Sequence, residues 1–405
     1  MNYEKLFGLI LDLGRDLIRC GGETHRVEDT LYRLAAGYRF RDCSIWVVPS
    51  LIQATFTDPD GVVRTQIRHV KGSGVDFRAL DRLNAVSRWA CGAQPAAEEL
   101  AARLEEIRSA AQPRLWASCL SEVLGGWGFA LFFGCDVWDS AIAALASLLV
   151  FFLVRVFSRR EGNPLILNFS VSFVTEVFIL CVCHFGPGSH METITISVVM
   201  LLVSGLGAFN GLRDLVHLDT LSGLINLAAS FTGAIGIALG MALPMLIFRD
   251  WGGVVVSTLE PQPIIQVFAG AFACVGFSIL FGVRGWKIVF CALGAGLTWG
   301  VYLLVYHFYP SVFAATLSAA AFSGLYGQIV ARVKKSPATI FSTICILPLL
   351  PGSSLYYAMY GLVTRDAELS YTRGVGLGMV CFGIVLGFMI VEVVNRFLWQ
   401  KPHGN

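Results

Sequence analysis

Charge is scarce in this sequence. Asp, Glu, Lys and Arg make up 14% of 405 residues, against 55% hydrophobic residues and a mean hydropathy of +0.66. Soluble domains carry about 25% charged residues, so the shortage excludes an ordinary water-soluble chain and makes the bilayer the expected solvent. The formal net charge is only +2 and the basic residues are dispersed; with no basic face, nucleic acid is not an expected partner. None of the 11 cysteines forms a C-x-x-C pair: Cys181 and Cys183 are one residue apart and most others lie in apolar runs. They read as structural thiols, and no metal or cofactor is expected. There is no G-x-S-x-G elbow, H-E-x-x-H pair or P-loop, and Cys20, His25, Asp42 and Ser44 are scattered, so no enzyme is expected. The first twenty residues lack an uninterrupted apolar run, because Glu4, Asp12 and Asp16 break it. A signal peptide is therefore not expected, and the N-terminus is expected in the cytosol.

What is present in abundance is long apolar segments, and they begin abruptly at Pro113. Before it, Leu6, Leu9, Ile10, Leu13 and Leu17 recur at helical spacing, and a second helix runs from Thr24 through Leu31 and Leu34 to Gly37. Residues 44–49, 51–57 and 62–70 are β-rich, with the Asp58-Pro59-Asp60-Gly61 turn for a hairpin, and 76–91 and 95–110 read as helices. Residues 1–112 are thus expected to form a small α+β cytosolic domain. Beyond it ten spans are expected, at about 116–134, 137–154, 164–184, 191–209, 221–247, 263–282, 286–306, 310–331, 338–360 and 371–395. With the N-domain inside, Arg155, Arg159, Arg160, Arg213, Arg284, Lys287, Arg332, Lys334, Lys335, Arg396 and Lys401 fall inside, and only Arg249, Arg365 and Arg373 outside. Eleven against three is a positive-inside bias and predicts both termini in the cytoplasm.

The apolar part repeats itself. Gly128-Phe129-Ala130-Leu131-Phe132-Phe133-Gly134 recurs 148 positions later as Gly276-Phe277-Ser278-Ile279-Leu280-Phe281-Gly282. Gly205, Leu215, Val216, Asp219, Gly236, Ile237, Leu239 and Gly240 recur 147 positions later as Gly352, Leu362, Val363, Asp366, Gly383, Ile384, Leu386 and Gly387. Two membrane repeats follow, 113–250 and 251–405; with five spans each, the second enters from the opposite side. The expected fold class is therefore an all-α polytopic membrane protein of about ten transmembrane helices, as two inverted five-helix repeats, behind the small α+β domain.

Backbone amides must be satisfied inside hydrocarbon, so breaks in a span mark a cavity or a protein contact. Pro348, Pro351, Gly352, Ser353 and Ser354 interrupt the ninth span just before Tyr356, Tyr357 and Tyr360; Ser204 to Asn210, with Gly205 and Gly207, stand at the matching place in the fourth. Paired interruptions point to a midplane site, although simple kinks or close helix packing also use such residues. Glu122 and Glu176 lie well inside the first and third spans, as candidate proton carriers or as structural interhelical partners. Arg213 and Asp214 follow the fourth-span break, either paired with each other or with Arg213 receiving a substrate carboxylate. Asp219 and Asp366 occupy helix-capping positions. The one dense polar cluster of the N-domain, Cys20-Gly21-Gly22-Glu23-Thr24-His25-Arg26-Val27-Glu28, reads as helix punctuation capped by Thr24 or as a regulatory surface.

These motifs resemble the bacterial threonine/serine exporter family, in the form with both membrane halves fused. Glu23, Thr24, Arg26 and Glu28 match its cytosolic-domain signature; Asn210-Gly211-Leu212-Arg213-Asp214-Leu215, Asp219 and Ser222-Gly223 match its first membrane half; Pro337-Ala338-Thr339, Pro348-Leu349-Leu350-Pro351-Gly352-Ser353 and Tyr356 match its second. Ser204-Gly205 stands where the family pattern has Pro-Gly, and Ala208 where it has a second proline. The resemblance implies proton-driven export of small hydroxy amino acids across a bacterial inner membrane. The repeat symmetry, the paired breaks and the acids inside the spans place Gly205, Asn210, Arg213, Asp214, Pro351, Gly352, Ser353 and Tyr356 around the substrate, with Glu176 or Glu122 as the expected proton carrier. A dicarboxylate such as succinate is the alternative cargo, and a membrane-anchored sensor or scaffold the alternative class. The expected partners are a small amino acid or carboxylate, protons and the lipid bilayer, with a homo-oligomer left open.

Overall fold

The computed structural model describes residues 3–72, 74–110, 115–186, 190–202, 207, 210–211, 214–215, 218–248 and 262–399. They divide into two compact units: Met1–Arg114 with Arg213–Asn226 and Phe281–Arg284, and Leu115–Leu212 with Leu227–Leu280 and Gly285–Asn405.

In the N-terminal unit, α1 (Tyr3–Arg19) buries Leu6, Ile10, Leu13 and Leu17 along one stripe, and α2 (Thr24–Gly37) buries Val27, Leu31 and Leu34. Between them and α3 (Phe77–Ala93) lies an antiparallel meander of β1 (Arg41–Val48), β2 (Leu51–Thr57) and β3 (Val63–His69). Alternate residues Ile52, Ala54 and Phe56 of β2 point inward, where Phe56 packs against Phe7 and Phe40 at ring distances of 4.5 and 5.3 Å. The β2–β3 turn is locked by Asp58, whose carboxylate accepts from the amides of Asp60 and Val62 and from Arg64, while Gly61 supplies a φ of +86°. The first strand starts earlier than the expected Ser44: Arg41 already pairs with Thr57, across an irregularity that places Asp42 at φ +48°. α3 is capped by Asp76 accepting from Ala79, and α4 (Ala97–Arg108) follows. The acids that interrupt the first apolar stripe cross-link the unit, Asp12 with Arg68 at 2.9 Å and Asp16 with Arg108 at 2.7 Å.

The second unit is helical. It holds α5 (Leu115–Phe132), α6 (Val137–Phe157), α7 (Pro164–Phe185), α8 (Met191–Leu202), most of α9 (Thr220–Ile247), α10 (Pro263–Leu280), α11 (Lys287–Phe308), α12 (Val312–Lys334), α13 (Ala338–Cys345), α14 (Gly352–Thr364) and α15 (Ala367–Trp399). Among the described residues eight helices are long and apolar enough to cross a membrane, or nine if the bent pair 338–349 and 352–362 is one span. Set against the ten expected, the difference lies at the fourth: α8 has 12 residues, about 18 Å of helix against roughly 30 Å of hydrocarbon. Most of the rest of that expected span lies outside the described residues.

Close glycine contacts hold this unit together. A β-carbon on Gly128 of α5 would lie 2.6 Å from Ala273 Cα, and one on Gly276 of α10 would lie 2.6 Å from Gly125 N. One on Gly236 of α9 would lie 2.5 Å from Leu165 O of α7, and Gly240 leaves no room before Phe169 O. Likewise Gly383 of α15 faces Phe313 O of α12 at 3.2 Å, and Gly387 faces Leu317 O at 2.6 Å. At the separations below 3.0 Å only hydrogen fits without a shift, and Gly383 leaves little more room, so the small residues set how closely the helices approach.

Candidate functional site

The break between α13 and α14 is made by two prolines. Pro348 has no N–H to bond Ile344 O and Pro351 none to bond Leu347 O, so the helix stops in a short 3-10 turn, Leu347–Leu349, and restarts at Gly352 after a bend of 51°. The protein supplies replacement partners, as a break away from water requires. Cys274 Sγ donates to Ile344 O at 3.6 Å, and Leu350 N donates to Leu347 O at 3.1 Å. The turn is buried throughout, with Leu347, Pro348 and Leu349 all enclosed. Pro351 and Ser353 are half-buried and Gly352 is buried. The restarted helix therefore begins inside the protein, with its first-turn amides unpaired within the helix.

One turn on, Tyr356 is 5% exposed and packs in a cluster with Tyr360, Val199 of α8, and Ile237, Met241, Ala242 and Met245 of α9. Its ring lies 5.3 Å from that of Tyr357 and 5.9 Å from that of Tyr360, and α14 packs against α8. Glu176, on α7, is completely buried. The Thr195 hydroxyl of α8 donates to its carboxylate, at 3.0 Å from one oxygen and 3.2 Å from the other. Ser172, one turn before Glu176, and Thr193 on α8 are buried with hydroxyls that have no hydrogen-bond partner among the described residues. A buried hydroxyl without a partner is costly. Two such hydroxyls stand on the helices that carry Glu176 and Thr195, with Ser172 facing Gly240 of α9. The Glu176–Thr195 pair can hold a proton inside an apolar unit.

The other expected site residues fall elsewhere. Glu122, on α5, is half-buried with no hydrogen-bond or ion-pair partner among the described residues. Asn210 is half-buried in a helical segment. Gly205 and Arg213 lie outside the described residues. Asp214, expected beside the substrate, belongs to the N-terminal unit, where Thr24 donates to one of its oxygens at 3.2 Å and Asn226 to the other at 3.0 Å. Burial pushes its carboxyl up to about 6, with Glu23 and Asp219 adding to the rise and the two hydrogen bonds opposing it. Thr24 is therefore not the cap of α2: Glu23 stands at that position without capping, its carboxylate paired with Arg26 at 3.0 Å, and the Thr24 hydroxyl is used as a donor to Asp214. Glu28, half-buried on the next turn, is raised by burial and by Asp219. The Glu23–Glu28 motif thus meets Asp214 within one unit. Asp366 does cap, accepting from Leu369 N at 3.0 Å.

Sequence reasoning passed over Thr195, Ser172 and Thr193, and also Asp139, a fully buried acid on α6 whose carboxylate lies 2.8 Å from His190 Nδ1. A signal was there: Glu192, Thr193, Thr195 and Ser197 put four polar groups into the 12 residues of α8. Among the described residues no group of His, Cys, Asp and Glu is placed to hold a metal.

Comparison with known proteins follows the same outline. Residues 8–248 match the family described as "Putative threonine/serine exporter", and residues 266–394 match "Threonine/Serine exporter, ThrE". A "Probable threonine/serine exporter" of Mycobacterium tuberculosis is 20% identical over 381 residues, 90% of this chain and 72% of the relative. A "Threonine/serine exporter" of Corynebacterium glutamicum is 22% identical over 284 residues, 66% of this chain and 57% of the relative. No solved structure matches.

Proposed function

From its membership of the threonine/serine exporter family, to which this chain belongs, we propose that it is a secondary active exporter of threonine and serine in a bacterial inner membrane, driven by the proton-motive force. The observation that carries the mechanism is the Glu176–Thr195 pair, buried beside Tyr356 and the Pro348–Pro351 break. A carboxylate enclosed in an apolar unit is costly while charged and is suited to taking a proton when the cavity opens to one side. Glu122, with no partner among the described residues, is the second candidate. The substrate sits against Ser353 and Tyr356 at the restarted helix, whose N-terminal amides suit a carboxylate. Asn210 is the first half's contribution to the site.

Alternating access follows from two inverted five-helix repeats, with both termini cytoplasmic. The glycine contacts support this reading. Gly128 meets Ala273 while Gly276 meets Gly125, and each pair maps onto the other at the 148-residue offset, as a two-fold relation between α5 and α10 requires. Gly236 and Gly240 against α7 map in the same way onto Gly383 and Gly387 against α12. Rocking of one repeat against the other exposes the Glu176 centre to each side in turn.

The test is efflux of preloaded radiolabelled threonine, serine and succinate from cells overproducing the protein, with and without a protonophore. Enhanced threonine or serine efflux that the protonophore abolishes is the expected result. Succinate efflux alone overturns the substrate, and no enhancement of any of the three overturns the assignment as an exporter of these compounds.

A further inference from the structure

A groove of about 540 Å³ runs between α14, α15 and the start of α12, within the 300–1,000 Å³ range of small-molecule sites. Arg373 of α15 lines it, with its guanidinium 4.9 Å from the centre of the Tyr357 ring. Among the described residues Arg373, in the second turn of α15, forms no ion pair. The planar fork of an arginine matches a carboxylate. The same groove carries the hydroxyls of Ser354 and Thr372, the carboxylates of Asp366 and Glu368, and an apolar wall from Val312 and Val380. One oxygen of Asp366 accepts from Leu369 N, which fixes the side chain at the mouth of α15.

We propose that this groove is a binding site for a zwitterionic hydroxy amino acid, in which Arg373 receives the α-carboxylate, Asp366 and Glu368 the ammonium group, and Ser354 or Thr372 the side-chain hydroxyl. It rests on the amino-acid reading above and adds a station to it. Tyr357, under Arg373, is the direct neighbour of Tyr356, so the groove adjoins the aromatic cluster beside Glu176. A carboxylate held by Arg373 thus waits next to the proton-carrying centre.

The test is equilibrium binding of radiolabelled threonine to the purified full chain in lipid nanodiscs. Threoninol, which lacks the carboxylate, and 3-hydroxybutyrate, which lacks the ammonium, serve as competitors. Both are expected to compete at least about tenfold less well than serine, and equal competition by either overturns the proposal. Arg373→Gln is expected to weaken threonine binding at least about tenfold, with Arg373→Lys recovering part. Gly376→Trp fills the groove at a position where a β-carbon meets nothing within 4 Å, so it tests the site without touching Arg373; it is expected to abolish binding in protein that still elutes as a single species. Wild-type affinity in both Arg373→Gln and Gly376→Trp overturns the site, and if the protein also exports threonine, the export reading stands without it. Threonine binding that depends on Arg373, in a protein that exports no amino acid, keeps the site and overturns the export reading.

Discussion

Two pairs of membrane helices are packed alike and lined differently. α7 and α9 meet where Gly236 and Gly240 face Leu165 and Phe169; α12 and α15 meet where Gly383 and Gly387 face Phe313 and Leu317. Yet α7 carries Ser172 and the buried Glu176, whereas the positions 148 residues later on α12 are Ala320 and Gly324, and Gly324 is filled over by Phe388 and Val391. The contact permits only glycine, so it persists in both pairs; the positions beside it are free to differ, and at the compared positions only α7 places a carboxylate. Scaffold and chemistry are thus separable in this unit.

The strongest way to break the comparison is to attack the shared feature. Gly240→Leu and Gly387→Leu each drive a side chain into a backbone carbonyl of the facing helix, and overpacking of this kind costs about 1–3 kcal/mol or more. Both variants are expected to lose most monodisperse protein on size-exclusion chromatography; normal yield of either one shows that the two contacts are not equivalent. The next effect attacks what differs. Glu176→Gln is expected to lower threonine efflux at least about tenfold, with Glu122→Gln causing a smaller loss, and the reverse order moves the proton to α5. Smaller again is Thr195→Val, which removes one donor to Glu176, about 1 kcal/mol, for an efflux loss of roughly fivefold; Thr195→Ser keeps the hydroxyl and is expected to restore the rate.

Much of this was legible in the chain. The stripe Leu6, Ile10, Leu13, Leu17 and the turn Asp58 to Gly61 specify their elements locally, and long apolar runs announce their helices. The Pro348–Pro351 break was readable because proline removes a donor wherever it stands. The partners were not. That Thr195 of α8 reaches Glu176 of α7, or that Thr24 binds Asp214 across 190 residues of sequence, depends on how helices are brought together, which periodicity does not encode. Asp214 is the sequence neighbour of Arg213, but the hydrogen bonds it accepts come from Thr24 of the Glu23–Glu28 motif and from Asn226.

That tie makes the N-terminal unit pH-sensitive in a definite direction, the subtlest contrast with the glycine contacts between the membrane helices, which are made by groups that do not titrate. Burial raises the Asp214 carboxyl from 3.8 to about 6, and Glu28 is raised in the same way. A carboxyl raised on folding binds its proton more tightly in the folded unit than in the unfolded chain, so its stabilising contribution is complete below about pH 4 and is lost as the pH rises through about 6. Hydrogen exchange at Thr24–Leu31 and 218–226, corrected for the intrinsic pH dependence of exchange, is therefore expected to show greatest protection near pH 4 and a decline across pH 6. Asp214→Asn keeps an oxygen to accept from Thr24 and removes the titration, so it is expected to flatten the decline while leaving a shallower one from Glu28. An unchanged step in Asp214→Asn means that another group sets the pH response and that the Thr24–Asp214 contact is held by packing alone.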